Sequence, residues 1–212
     1  MIVGTSMGAI IGGLWAAGKS MEDIKNFYRD EFEMKNYINL RIVPFFDFSL
    51  SKFLMGPEAF FRMSNALGID KPGKLEELFE ELSDGKSFED LDVEFYCNAV
   101  DLKESREYVF DSGKLSLAMR ASMSVPGVFI PVKLGDMMLV DGGVMDNLPV
   151  GLAKNRGAGK IVAVDVMDDH GVNKECKTGF DVIASSIWVN SVNERRQKKS
   201  SVNLFLDAGG IG

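Results

Sequence analysis

The sequence predicts an α/β fold, with helices packed around a mostly parallel central sheet. Short runs rich in β-branched residues alternate along the chain with stretches of helical spacing. The continuous β-branched run at 161–166 predicts a strand buried on both faces. The chain has 212 residues, of which 46% are apolar, and shows neither a repeat nor a linker. We therefore expect residues 1–212 to form one domain.

The first elements are a short strand at residues 2–3 and a helix at residues 6–17. Three glycines inside that helix each cost on the order of 1 kcal/mol of helix stability, so we expect it to pack tightly against neighbouring backbone. Ser20 and Asp23 have the spacing of a capping box, which predicts a second helix through about residue 32.

Residues 40–63 hold much of the phenylalanine of the chain together with two methionines, Met55 and Met63. Such a segment can line an acyl-chain channel, form a cap that touches a membrane, or simply pack as core beneath a loop. The composition leaves these alternatives open. Pro57 stands where a helix to about residue 67 would begin.

The remaining elements follow from helical spacing, from β-branched and aromatic runs, and from turn residues between them. In chain order, they are a helix at 74–82, antiparallel strands at 93–100 and 107–110, a helix at 115–123, strands at 137–140 and 161–166, a helix at 179–199 and a strand at 202–206. The basic end of the helix at 179–199 suits the negative pole of the helix dipole.

The most informative motif is the G-x-S-x-G pentapeptide Gly4-Thr5-Ser6-Met7-Gly8. This pattern is typical of a nucleophile elbow, a sharp strand-to-helix turn that exposes a serine hydroxyl. We expect a Cβ at either flanking glycine to clash, because the turn brings strand and helix close together. The Met7 backbone N–H follows the serine at a helix N-terminus and is the expected oxyanion donor.

A serine nucleophile needs a base, and the sequence points to a carboxylate. His170 is the one histidine and lies in a polar turn, where an exposed loop side chain is expected. Asp141, in the run Asp141-Gly142-Gly143, follows a short apolar strand. An aspartate there lies on the sheet rim where an elbow presents its serine, and partial burial would raise its pKa. Asp141 is therefore the expected general base.

Composition and charge exclude several classes of function. A net charge of −7 and a pI near 4.9 argue against nucleic-acid binding. The sequence shows no membrane-spanning run and no signal peptide. Cys97, Cys176 and His170 cannot form a zinc cluster, so we expect no metal and no cofactor, and reduced thiols in the cytoplasm.

Three blocks of this sequence resemble bacterial patatin-like phospholipases: residues 4–9, 118–129 and 141–150. They occur in the order found in that family. The resemblance implies a three-layer sandwich and a lipid acyl hydrolase with a Ser-Asp dyad, in which Ser6 is the nucleophile and Asp141 the base. Arg120, Asp146 and Asn147 also match family positions near the site, and we expect them to make hydrogen bonds that fix loops.

The sequence departs from the family at its beginning. Family members have a glycine-rich oxyanion loop upstream of the elbow, whereas only three residues precede Gly4 here. We expect a first strand and helix to be missing, as in an N-terminally truncated domain; a genuine short protein is the alternative. On either interpretation, we expect weak or no hydrolase activity. The glycine-rich residues 208–212 have no expected oxyanion role.

Three functions remain open at this point. The leading one is a lipid acyl hydrolase in the cytoplasm, peripheral to a membrane, with a lipid or acyl ester as substrate and transient membrane contact. A soluble esterase or thioesterase with the same dyad is the second. The third is a catalytically degenerate lipid-binding module. The sequence does not give the head group, the acyl position or the oligomeric state.

Overall fold

The computed structural model describes residues 1–31, 34–37, 67–68, 70–167, 176 and 179–209. Its strands are β1 Ile2–Gly4, β2 Phe95–Asp101, β3 Arg106–Phe110, β4 Val132–Leu134, β5 Met137–Asp141, β6 Val162–Asp165 and β7 Leu204–Asp207. Its helices are α1 Met7–Ala16, α2 Met21–Asn26, α3 Met34–Tyr37, α4 Lys74–Leu82, α5 Leu115–Ser122, α6 Val150–Asn155 and α7 Gly179–Lys199. The aromatic segment at 40–63, the helix expected from Pro57 and His170 lie outside the described residues.

The structure confirms an α/β fold with a central sheet, and it corrects the expected strand directions. In the five-stranded sheet, β1 and β2 are parallel, whereas β2 pairs antiparallel with β3 and with β5, and β4 pairs antiparallel with β5. The sheet is therefore mixed, and the expectation of a mostly parallel sheet was wrong. The short connections at 102–105 and 135–136 explain two of the three antiparallel pairs, β2–β3 and β4–β5, because a chain reversal of so few residues allows only antiparallel neighbours.

Two strands of this sheet end opposite each other on one edge of β2. β1 pairs with residues 95–97 and β5 with residues 99–101. β3 pairs with residues 97–101 and takes the other edge, so β1 and β5 share the remaining one. Because β1 is parallel to β2 and β5 is antiparallel, their C-terminal ends run toward each other. The fold thereby brings the residues after β1 close to the end of β5.

Helix α1 packs against the sheet as closely as its glycines predicted. A Cβ on Gly12 would lie 3.0 Å from Ile2 Cγ2, and one on Gly13 would lie 3.2 Å from Met119 Sδ. The buried side chains of α1 belong to the main core, together with residues of β2, α4 and α5. The small residues of α1 therefore allow it to lie flat between β1 and α5.

The second helix begins as predicted and ends earlier. Ser20 Oγ accepts the Asp23 N–H at 3.1 Å, and the Asp23 carboxylate accepts the Ser20 N–H at 3.2 Å, which confirms the capping box. Helix α2 stops at Asn26, and a π-helical turn continues over Phe27–Glu31. A turn of this kind inside a helix often marks a functional region.

A second, two-stranded sheet pairs β6 with β7 in parallel. Its burial corrects the expectation for 161–166, because Val162 and Val164 are 60% and 52% exposed. Ala163 and Asp165 are buried, so burial alternates along the strand. Among the described residues, the small cluster of Leu148, Val150 and Ala163 covers one face only.

Candidate active site

The turn between β1 and α1 has the strained geometry of a nucleophile elbow. Ser6 has φ 54° and ψ −117°, a region that costs a non-glycine residue about 1–3 kcal/mol. The Gly8 N–H donates to the Thr5 carbonyl at 2.8 Å and closes the turn. Ser6 is half-buried, so its hydroxyl remains accessible at the start of the helix.

The two glycines that flank the serine have different roles. A Cβ on Gly4 would lie 2.3 Å from the Gly8 carbonyl oxygen and 2.7 Å from the Ala9 nitrogen. A Cβ on Gly8 would meet nothing within 4 Å. The expected clash is therefore confirmed at Gly4 and was wrong at Gly8, because Gly8 lies on the exposed side of the first turn of α1.

Asp141 ends β5 and lies beside Ser6. Its Oδ1 accepts the Gly143 N–H at 2.7 Å, and its own N–H donates to the Ser124 carbonyl at 2.9 Å. Burial raises the pKa of Asp141 to about 6, while hydrogen bonding from the Ser6 side chain and from the Gly143 N–H opposes that rise. A carboxylate with this pKa, beside a serine in a strained turn, is equipped to take the hydroxyl proton.

Both glycines after Asp141 are required by close neighbours. A Cβ on Gly142 would lie 2.3 Å from Asn98 Oδ1, and one on Gly143 would lie 2.7 Å from Asn147 Oδ1. Larger residues would push the loop away from β2. The D-G-G pattern therefore lets the loop pass directly over the sheet and hold the carboxylate in place.

The C-terminal end of α5 contacts both residues of the pair, which the sequence did not indicate. Ser122 Oγ accepts the Ser6 N–H at 2.9 Å, and the Ser124 carbonyl accepts the Asp141 N–H. Both serines are fully buried. The one available signal was a pair of serines inside an otherwise apolar run.

Asn98 is the second contributor that the sequence did not indicate. It is fully buried in the middle of β2, where an apolar side chain would be expected. Its amide bonds to Thr5, to the Asp146 carbonyl and to Glu107. A polar residue in an apolar strand was the available signal, and only the tertiary fold reveals its partners.

Arg120 and Asp146 make the structural contacts expected of them, whereas the loop-fixing hydrogen bonds expected of Asn147 stay a prediction. Arg120 is buried and donates to Asp70 at 2.6 Å, to Ser124 Oγ at 2.5 Å and to the Ile130 carbonyl at 2.9 Å. Asp146 Oδ1 pairs with Lys198 Nζ of α7 at 2.6 Å. These contacts fix loops around the site.

The Met7 N–H stands at the first position of α1, where helical N–H groups have no partner within the helix. Among the described residues, no acceptor lies within hydrogen-bond reach of it. The Met7 side chain is 44% exposed, and the Tyr28 hydroxyl donates to its Sδ at 3.2 Å. A free N–H at a helix N-terminus next to the nucleophile suits a developing negative charge.

The described part of the chain contains no group of three His, Cys, Asp or Glu side chains arranged to hold a metal ion. In the same residues, no helix combines the length and the apolar character needed to cross a bilayer.

The sequence is similar to a described protein family and to several members of it. A family model described as patatin-like phospholipase matches residues 1–154. Lysophospholipase NTE1 of Debaryomyces hansenii is 30% identical over 189 residues, which cover 89% of this chain and 11% of that protein. Lysophospholipase NTE1 of Lodderomyces elongisporus is 32% identical over 189 residues, covering 89% and 12%. An NTE family protein of Mycobacterium tuberculosis is 29% identical over 167 residues, covering 78% and 40%. The chain therefore spans only a small part of the two yeast proteins.

Proposed function

This chain belongs to the patatin-like phospholipase family, and we propose on that premise that it hydrolyses the acyl ester of a lipid through a Ser6–Asp141 dyad. The observation that carries the proposal is the position of the two side chains, because Ser6 follows β1 and Asp141 ends β5 where these strands run toward each other. A serine in a strained elbow faces a buried carboxylate whose pKa is raised to about 6. The related yeast proteins are named lysophospholipases, which supports a lipid ester as substrate.

The proposed reaction has two halves. Asp141 takes the Ser6 proton while Oγ attacks the ester carbonyl, and the tetrahedral intermediate collapses to an acyl-enzyme. Asp141 returns the proton to the departing alcohol. It then takes a proton from the water that attacks the acyl-enzyme. It returns this proton to Ser6 Oγ as the second tetrahedral intermediate collapses, which frees the fatty acid and restores the serine hydroxyl.

The negative charge of each tetrahedral intermediate needs hydrogen-bond donors. From the described residues we assign the Met7 N–H, assisted by the positive end of the α1 dipole. Loss of one oxyanion donor costs about 3 kcal/mol in other serine hydrolases.

The test combines a fluorophosphonate probe with hydrolysis of p-nitrophenyl esters of increasing chain length and of lysophosphatidylcholine. We expect the probe to label the unmodified chain, and Ser6→Ala to abolish labelling and turnover. Asp141→Asn should abolish turnover and slow labelling by at least about a hundredfold, because the base contributes about that factor or more.

A matched control for these variants is Ser83→Ala, which removes a buried hydroxyl that donates to the Phe79 carbonyl in α4. It should leave labelling unchanged. Labelling that persists in Ser6→Ala would contradict the assignment of the nucleophile. A preference for short soluble esters over lysophosphatidylcholine would favour a soluble esterase instead of a lipid hydrolase.

A further inference from the structure

Asn98 lies in β2 between the end of the pairing with β1 and the end of the pairing with β5. Its neighbour Cys97 pairs with Gly4, the last residue of β1, and its other neighbour Ala99 pairs with Asp141, the last residue of β5. The two strands end on either side of Asn98 on the same edge of β2. Ordinary strand pairing therefore holds each strand to β2 and does not tie their facing ends to each other.

The Asn98 side chain makes this connection together with the Thr5 hydroxyl, which itself also donates to the Asp146 carbonyl at 3.1 Å. Its Oδ1 accepts the Thr5 hydroxyl at 2.8 Å, and its Nδ2 donates to the Asp146 carbonyl at 3.0 Å and to Glu107 Oε1 at 2.8 Å. Thr5 directly precedes the serine, and Asp146 lies in the loop after Asp141. One fully buried amide thus bonds to both halves of the site.

The chemistry of this position fits an amide and no other side chain of its size. The amide oxygen of Asn98 accepts from the Thr5 hydroxyl, and its NH2 group donates to the Asp146 carbonyl and to the Glu107 carboxylate. Aspartate would lose both donors, and leucine would lose all three bonds. The backbone at Gly142 also lies against the amide, since a Cβ there would be 2.3 Å from Asn98 Oδ1.

We propose that Asn98 is a positioning residue, whose amide sets the separation of Ser6 and Asp141 by linking the elbow to the loop after the base. The inference rests on the proposed hydrolase function for its kinetic consequence. It predicts that either link, once cut, slows the chemical step while substrate binding stays nearly intact. Small displacements of reacting groups are known to cost up to about a hundredfold in rate.

Two variants cut these links at different ends: Thr5→Val removes the bonds of the hydroxyl to Asn98 and to the Asp146 carbonyl, whereas Asn98→Asp leaves both of those bonds in place. Thr5→Val removes the hydroxyl at constant size and frees the elbow, whereas Thr5→Ser keeps the hydroxyl and serves as the rescue. Asn98→Asp keeps the acceptor for Thr5 and removes the donors to Asp146 and Glu107. Ser83→Ala is the control for loss of a buried hydroxyl outside the site.

Kinetics and hydrogen exchange are measured on the full chain of each variant. We expect Thr5→Val and Asn98→Asp each to lower kcat and the fluorophosphonate labelling rate by at least about tenfold, with KM within about twofold. Thr5→Ser and Ser83→Ala should stay near the unmodified chain. Amide exchange at residues 6–10 should rise in Thr5→Val, and exchange at residues 142–148 should rise in Asn98→Asp.

The outcomes separate this inference from the proposed function. If the unmodified chain neither labels nor turns over, the hydrolase proposal fails, and exchange alone then decides the role of Asn98. The positioning role would be overturned if amide exchange at residues 6–10 of Thr5→Val and at residues 142–148 of Asn98→Asp were no faster than in Ser83→Ala. Equal labelling by Thr5→Val and Thr5→Ser would overturn it as well, even in an active chain.

Discussion

At the scale of a single residue, the burial of Asp141 explains how an aspartate can serve as the proposed base for a serine hydroxyl. An ordinary carboxylate is too weakly basic, and burial strengthens it by disfavouring the charged form. The Ser6 and Gly143 hydrogen bonds stabilise that charged form and keep the pKa near 6 instead of higher. Asp141 is then mostly ionised at neutral pH and remains a stronger base than an exposed aspartate.

The pH dependence of catalysis follows from this pKa. Below about pH 6 the Asp141 carboxyl is protonated and does not accept the Ser6 proton, so kcat/KM should fall about tenfold per pH unit there. Ester hydrolysis measured from about pH 4.5 to about pH 8 checks this. An acid limb centred near the ordinary aspartate value of 3.8 would contradict it.

The same burial has a cost in stability, which Asp141→Asn should remove. The pKa of Asp141 is raised in the folded chain, so between about pH 4 and pH 6 the folded chain binds more protons than the unfolded one. The free energy of unfolding therefore falls as pH rises through that window. Asp141→Asn should gain about 2–3 kcal/mol at neutral pH.

Urea unfolding of both chains at about pH 4 and at neutral pH measures the effect of Asp141→Asn. Near pH 4 the gain should largely vanish, because Asp141 is already protonated in the folded chain. If Asp141→Asn raised the free energy of unfolding equally at both pH values, the charge of Asp141 would not be the source of the stabilisation.

At the scale of elements, the elbow depends on one of its two glycines. Gly4→Ala places a methyl group against the backbone of α1, which must shift to accept it, and we expect a loss of several kcal/mol or misfolding. Gly8→Ala meets open space at a helical position, where alanine gains up to about 1 kcal/mol over glycine. Thermal unfolding of the two variants provides a matched comparison. Similar melting temperatures would contradict the asymmetry.

The elements that the sequence predicted well are those whose signals are local. The capping box at Ser20 depends on a spacing of three residues, and helix α4 was predicted with its observed limits of Lys74–Leu82. The G-x-S-x-G and D-G-G patterns also predicted that Ser6 and Asp141 lie close together, and the two side chains are neighbours in the structure, while their catalytic roles stay predictions.

The features that the sequence did not predict depend on distant parts of the chain. Strand β4 has only three residues, which is too short for a recognisable period, and it is defined by pairing with β5. The exposed face of β6 follows from what packs against it, and a β-branched run does not encode that. The partners of Asn98 lie 93 and 48 residues away in sequence, at Thr5 and Asp146.

At the scale of the whole molecule, buried and half-buried ion pairs join segments that no strand pairing connects. Arg120 of α5 binds Asp70, and Asp70 also accepts the Ile130 N–H at 2.6 Å. Lys198 near the end of α7 binds Asp146 of the loop after the base, as well as Glu194. The site is thus supported by residues drawn from both ends of the described chain.

Arg120→Met should be among the most destabilising substitutions in this protein. It leaves the Asp70 carboxylate buried without its partner, which typically costs about 3–5 kcal/mol. The double variant Arg120→Met/Asp70→Asn removes both charges and keeps an acceptor for the Ile130 N–H, so it should recover much of the loss. Denaturant unfolding of the single and double variants measures this coupling. The measurement compares the cost of Asp70→Asn in the unmodified chain with its cost in the Arg120→Met background. If the two costs were equal, the two side chains would act independently. The charge pair would then not be what joins residues 70, 120 and 130.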